Sequence, residues 1–320
     1  MELATLDPQT LGNGSFHISF HALGTQCEIT YSTSSDKVAT DFRNHALTWI
    51  DRFEKRYSRY LPDSLISLIN RSAGISPVEI NSEDYRLFNL CNTLHFLTNG
   101  LFDPTSLPLS NIWDFKAEIP SVPSDLKIKN ALEKVGWKKV VIQENSVFLT
   151  QPGMGLDFGG FGKEYAVDRI IELAKSFGIT NAMVNLGGDI RTIGSPQNSD
   201  SWRIGIEDPN LPGQARFCLL ANNLAIATSG NYQRFFEVNG MRYGHLLDHR
   251  TGYPTTSSYL SASVTANTCL EAGILSTCSL FGGKDSGLKM IENFFGAEGC
   301  IWTKTGLAWT KNFGDHISLK

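Results

Sequence analysis

The chain has 320 residues, 41% of them hydrophobic and 19% charged, with a formal net charge of −4. This composition excludes a disordered chain and offers no basic footprint for nucleic acid or an anionic membrane surface, and the length suffices for one large domain or two lobes around a cleft. No apolar run approaches the ~20 residues that a bilayer-spanning helix needs.

The first residues, Met1 to Pro8, show no signal-peptide pattern. The six cysteines, Cys27, Cys91, Cys218, Cys269, Cys278 and Cys300, have neither a CxxC pair nor zinc spacing. Reduced, buried thiols and a cytoplasmic location are expected.

His17 to Ser32 alternates as a strand pair broken at Leu23-Gly24-Thr25-Gln26, with His17 and His21 on one face, where exposed strand histidines are expected and a metal pair is the alternative. From Asp36, apolar residues recur at helical spacing through Tyr57, and a turn over Ser58 to Ser64 follows. Tyr60 in that turn is expected to close the core, with stacking on a ring as the alternative. Asn81-Ser82-Glu83-Asp84 caps a second helix that stops at Asn99-Gly100. Leu101-Phe102-Asp103-Pro104-Thr105 then places a carboxylate on a constrained loop. A third helix, capped by Ser124, ends before Gly136-Trp137, and two short strands follow.

The stretch from Gly155 through Asp157, Gly159, Gly160, Gly162 and Lys163 to Asp168 reads as strand, glycine turn and helix. A backbone that approaches closely, followed by a helix N-terminus, is the outline of a phosphate site. Neither the Walker pattern nor GxGxxG is present, since Glu164 follows Lys163 where Ser or Thr would be required. Ala182 to Leu186 returns as a strand, so a βαβ unit is expected, with the turn Gly187-Gly188-Asp189 beside the first.

Trp202 to Ile206, Phe217 to Leu220 and Leu224 to Ala227 are β-rich, with turn signals at Asp208-Pro209 and Leu211-Pro212-Gly213. Between Tyr243 and Pro254, His245 and His249 stand four apart with Asp248 between them. On a helix this spacing would suit zinc. The Arg-Thr-Gly-Tyr-Pro that follows is turn sequence, and a histidine beside an aspartate in a polar loop suits general-base work better. Ala266 to Leu280 is the last major helix, followed by a short helix from Asp285 and a hairpin around Lys304-Thr305-Gly306.

Seven ordered motifs resemble the ApbE family of FAD:protein FMN transferases. They are Leu-Gly-Thr at Leu23, Ser-x-Tyr-x-Pro-x-Ser at Ser58, Phe-Asp-Pro-Thr at Phe102, Asp-x-Gly-Gly-x-x-Lys at Asp157, Asn-Leu-Gly-Gly-Asp at Asn185, Thr-Ser-Gly-x-Tyr at Thr228 and His-x-x-Asp-x-x-Thr-Gly at His245. The resemblance runs from Leu23 to about Gly283. It implies an α+β, T-fold-like architecture of two lobes with an FAD cleft between them, forming a single transferase domain. It also implies magnesium and transfer of FMN from FAD to a threonine of a target flavoprotein, with release of AMP. By matching positions, Leu23, Tyr60, Leu101, Phe102, Asp103, Asp157, Lys163 and Leu246 would line the FAD site, and His245 would take the acceptor's proton. The Gly160 carbonyl, Thr277 and the position of Ser276 would serve the metal.

The chain departs from the family at three places. Gly273 stands where the resemblance implies a metal-binding aspartate, Glu164 replaces the usual glycine, and His249 replaces the usual proline. Glu271 lies roughly 120° around the helix from Thr277 and so points elsewhere, whereas position 273 lies only about 40° away. Two other readings are a flavin-binding or flavin-delivering protein with an impaired metal site, and a hydrolase that splits FAD to FMN and AMP.

Overall fold

A computed structural model describes residues 9–318 apart from 116, 212, 232–233 and 256–257. The leader Met1 to Pro8, and Pro212 and Tyr232 of the turns and motifs above, lie outside the described residues. In chain order the helices are α1 (Asp36–Tyr57), α2 (Leu65–Arg71), α3 (Ser82–Leu97), α4 (Leu107–Ile112), α5 (Asp125–Leu132), α6 (Gly162–Ser176), α7 (Cys269–Gly282) and α8 (Lys284–Glu292). With the sheets they make an α+β chain, as expected. Residues 1–54, 161–229 and 260–320 form one compact unit, and residues 55–160 and 230–259 form another.

The first unit is built on a sheet of nine strands among the described residues. Their spatial order is Gln9–Gly12, Ser15–Ala22, Thr25–Ser32, Asn181–Leu186, Asp189–Ile193, Ala225–Gly230, Tyr259–Ala266, Glu298–Thr303 and Gly306–Trp309. Strict alternation in Ser15–Ala22 buries Phe16, Ile18 and Phe20 against Phe42, Leu47 and Ile50 of α1 and Ile170, Ile171 and Ala174 of α6. Trp202, Ile204, Leu219 and Phe313 form a further apolar cluster with Ile190 and Ile226, and α7 and α8 bury Ala272, Leu275 and Ile291 against Val264 and Ala227.

The expected βαβ unit is absent. Asn181–Leu186 pairs antiparallel with both Thr25–Ser32 and Asp189–Ile193, so Gly187-Gly188 is the two-residue turn of a hairpin. Both glycines have positive φ, 72° and 95°, which suits them to that turn. Residues 154–158 are likewise not a strand. Asn70 clamps Leu156 through its side chain, donating to the Leu156 carbonyl at 3.0 Å and accepting the Leu156 N–H at 2.6 Å. A side-chain clamp satisfies the backbone where a neighbouring strand was anticipated. Similarly, α7 begins at Cys269 rather than Ala266, because Ala266 ends the strand from Tyr259.

The second unit holds α2 to α5, a small sheet ordered Val78–Glu79, Ser146–Leu149, Val140–Gln143, and two short hairpins. Helix α4, with Pro108 in its first turn, follows the Asp-Pro-Thr loop and had no clear signal of its own. It leads to Trp113, which is fully buried, donates its Nε1–H to the Gly252 carbonyl at 2.8 Å and stacks on Phe115 and Phe236.

Candidate functional site

In the second unit the structure gathers four of the motifs. Arg59, an unspecified residue inside the Ser-x-Tyr-x-Pro-x-Ser turn, is the link that sequence reasoning missed. Its Nε lies 2.8 Å from Asp157 Oδ2, and its guanidinium sits 4.3 Å from the centroid of the Tyr60 ring. Tyr60 is exposed, so stacking, not core closure, is open to it. The other oxygen of Asp157 accepts the Gly159 N–H at 2.8 Å, which shapes the turn that leads to the exposed Gly160. Asp157 also donates its N–H to the Pro104 carbonyl at 2.8 Å, joining this turn to the Phe-Asp-Pro-Thr loop.

Asp103 serves the fold of that loop. Oδ1 accepts the Thr105 N–H and hydroxyl at 2.8 and 2.5 Å, Oδ2 accepts the Trp137 N–H at 2.9 Å, and the residue is buried. Phe102 is buried beside it, so Leu101, partly exposed, is the more open residue of the three.

His245 and Leu246 follow the strand Met241–Gly244 and are positioned by Asn231. The Asn231 side-chain oxygen Oδ1 accepts the Leu246 N–H at 3.4 Å, its side-chain amide nitrogen donates to the Thr255 hydroxyl, and a Cβ on residue 244 would collide with Oδ1. Gly244 is therefore required by the buried Asn231, and His245 leaves this pinned point half-buried, its Nδ1 3.3 Å from the Arg234 carbonyl. Asp248 does not serve as a carboxylate shared by the two histidines. Arg250 holds it at 2.6 Å, and although burial opposes ionisation, the bonds from Arg250 keep the carboxyl below its usual range. His249 bonds instead to the Gly100 carbonyl at 2.6 Å. Neither histidine lies on a helix, since His245 follows the strand Met241–Gly244 and His249 lies in a turn, so the helical zinc spacing is not realised, and no cluster of three or more His, Cys, Asp or Glu that could hold a metal occurs among the described residues.

In the first unit the Leu-Gly-Thr and Asn-Leu-Gly-Gly-Asp motifs occupy the same end of the sheet. Leu23 and Gly24 form a tight turn with φ of 53° and 71°, and Thr25 packs so closely on Gly187 that a Cβ there would lie 2.5 Å from the threonine hydroxyl. The hairpin delivers Asp189, buried, into an ion pair with Lys163. Burial works against the Lys163 ammonium, but Glu164 and Asp189 outweigh it and hold the lysine charged. Phe161 provides no side-chain cap for α6, so the first-turn N–H groups of this helix lack a capping side chain.

Helix α7 carries Gly273, Ser276 and Thr277. Its start is doubly fixed. Thr268 and Glu271 form a capping box, and Asp168 of α6 accepts the Cys269 and Leu270 N–H groups at 2.8 and 2.9 Å. Glu271 thus serves its own helix end. One turn on, Ser229 bridges the hydroxyls of Ser276 and Thr277 at 2.8 and 2.7 Å, and Ser276 donates to the Gly273 carbonyl at 2.9 Å. A consistent polarity runs from Thr277 to Ser229 to Ser276, which leaves acceptor lone pairs on the Thr277 oxygen. Glu164 projects into the space beside Gly273. Burial pushes its carboxyl up to about 8, Asp189 adds to that rise and Lys163 opposes it. One of its oxygens, Oε2, is buried with no hydrogen-bond partner among the described residues. A carboxylate oxygen without a partner, on a side chain packed against Gly273 of the helix that carries these hydroxyls, belongs to a donor set that suits a small, hard cation.

The ApbE family model matches residues 23–301. The chain is 28% identical over 284 residues to an FAD:protein FMN transferase of Vibrio cholerae, covering 86% of this chain and 84% of that protein. It is 32% identical over 236 residues to one of Klebsiella pneumoniae, covering 73% and 72%. The crystal structure of the ApbE protein of Thermotoga maritima superposes with a TM-score of 0.85 at 31% identity, over 95% of this chain and 99% of that one. With the motifs folded as described and a match of this extent, the chain belongs to the ApbE family.

Proposed function

We infer that this chain transfers FMN from FAD to a threonine hydroxyl of a target flavoprotein, releasing AMP, and that its two units act as one transferase domain. His245 carries the reading. A flavin carrier has no use for a base, whereas here a histidine leaves a glycine that the buried Asn231 forces into place. The similarity to proteins named FAD:protein FMN transferase supports the same class of reaction.

In this reading Leu23, Tyr60, Leu101 and Leu246 contact the flavin nucleotide, with Phe102 and Asp103 shaping the loop and Asp157 placing the turn before Gly160. Lys163 and the first-turn N–H groups of α6 present positive potential to a pyrophosphate. His245 removes the proton from the acceptor threonine. The threonine oxygen bonds to the phosphorus of the FMN half, the bridging P–O bond breaks, and AMP leaves with the electron pair. A bound magnesium ion would neutralise phosphate oxygens, with the Thr277 hydroxyl and the Gly160 carbonyl as family-matched ligands. Six free cysteines support a reducing compartment, and hence a cytoplasmic acceptor.

The test is incubation of the purified chain with FAD, magnesium and a peptide bearing a Gly-Ala-Thr acceptor sequence, followed by intact mass. The expected outcome is a gain of one FMN on the peptide that disappears with His245→Ala while FAD still binds. Binding of FAD without any adduct, or release of free FMN instead, would overturn the transferase reading.

A further inference from the structure

Glu164 is a buried, ionisable group with no place in the reaction just described. It stands one residue after Lys163 in the first turn of α6 and is 7% exposed. Its side chain crosses to α7. A Cβ built on Gly273 would lie 2.5 Å from Glu164 Cγ, 2.8 Å from Oε1 and 3.0 Å from Cδ. No side chain at position 273 fits without displacing the glutamate. Gly273 is thus the cradle of a carboxyl group delivered by the neighbouring helix.

An independent observation says what that carboxyl lacks. Oε2 is buried without a hydrogen-bond partner among the described residues. A buried carboxylate oxygen in that state is unfavourable until a cation or a proton meets it. The nearest cation in sequence, Lys163, is in an ion pair with Asp189.

The surroundings favour a metal ion. Position 273 lies one helical turn before Thr277, about 40° away around the axis, and helical side chains lean toward the N-terminus. The Thr277 hydroxyl therefore leans back toward the turn over which the Glu164 carboxyl sits. Ser276 and Ser229 continue the oxygen-only set, and no thiol or imidazole is part of it. Oxygen ligands with one carboxylate are typical of magnesium, which completes its shell with water and substrate phosphate.

Resting on the transferase reading for the source of that phosphate, we propose that Glu164 is the anionic ligand of a divalent-cation site on α7, occupying the space that Gly273 leaves free and acting with the Thr277 hydroxyl. The two departures at positions 164 and 273 are then one exchange, a carboxylate moved from one helix to the other at the same point in space. A metal site of this kind is complete only with the nucleotide pyrophosphate present.

The experiment measures manganese bound to the full chain from the EPR signal of the free ion, with and without FAD, in four proteins: the natural chain, Glu164→Gln, Gly273→Asp and the double exchange Glu164→Gly with Gly273→Asp. The expected result is one manganese per chain with FAD, at least tenfold weaker binding in Glu164→Gln, and recovery to within a few-fold of the natural chain in the double exchange. Glu164→Gln keeps the shape and the neutral hydrogen-bonding capacity of the side chain, so a merely structural glutamate would leave manganese affinity unchanged. That result, or failure of the natural chain to bind manganese in either condition, overturns the proposal. If manganese binds as expected while the acceptor peptide gains no FMN, the transferase reading fails and the metal assignment stands.

Discussion

At Gly273 a neighbouring side chain decides what the residue can be. Gly273→Asp alone places two carboxyl groups in one space, and overpacking of a buried site costs about 1–3 kcal/mol. The urea midpoint of that variant should fall, and adding Glu164→Gly should restore most of it. An unchanged midpoint in the single variant would show that Glu164 swings clear. Asn231 is legible in the same way only after folding. Its motif is visible in the chain, but its bonds to Leu246 and Thr255 join residues far apart in sequence. Asn231→Ala should slow FMN transfer while leaving FAD affinity within a few-fold, because what it frees is the backbone carrying His245. A loss of FAD binding equal to the loss of rate would assign Asn231 to the nucleotide instead.

Among the elements, α7 depends on contacts its own sequence does not contain. The capping box of Thr268 and Glu271 is local and readable, but Asp168, a hundred residues earlier, accepts two of its N–H groups and pairs with Arg191 at 3.0 Å. Burial raises the Asp168 carboxyl above its usual range even against those bonds. Asp168→Ala removes the acceptor and leaves Arg191 paired with Glu172 alone, and the expected loss is about 2 kcal/mol, read from urea unfolding. A loss below half of that would mean Thr268 caps the helix alone. The hairpin at Gly187 shows why the βαβ expectation failed. An apolar strand after a helix reads alike in parallel and antiparallel sheets, and the choice was made by a two-residue turn and by pairing with Thr25–Ser32, a partner remote in sequence.

For the whole molecule, two features make its response to pH and thiol reagents predictable. In the second unit, burial opposes ionisation of Asp84, but Arg56, Tyr57 and the Asn81 N–H outweigh it and hold the carboxyl below its ordinary range. A carboxyl whose folded value is depressed adds stability that is present above the unfolded value of about 3.9 and lost as pH falls through the folded one. Urea unfolding of Asp84→Asn should therefore differ from the natural chain near pH 6 and converge with it toward strongly acidic pH. A difference that persists unchanged in acid would contradict the assignment. Five of the six cysteines are buried, and burial pushes the Cys27 thiol up to about 11 and Cys300 to about 12. A thiol reagent should modify Cys218 first in the native chain and all six after unfolding, and a reductant should not move the melting temperature. Rapid native labelling of the other five would show that the core opens far more readily than its packing implies.

The sequence by itself determined the family, the α+β class, the major helices and the motif residues, because periodicity, caps and loop chemistry are local properties of the chain. It also exposed position 164 and position 273 as departures. Only the tertiary structure decided that these are two ends of one contact, that Arg59 joins Tyr60 to Asp157, that Asp103 builds its loop and that the second glycine turn closes a hairpin. The first three are contacts with segments distant along the chain, and the hairpin was selected by its pairing with the remote Thr25–Ser32. The volume a side chain occupies against another helix leaves no trace in either segment read alone.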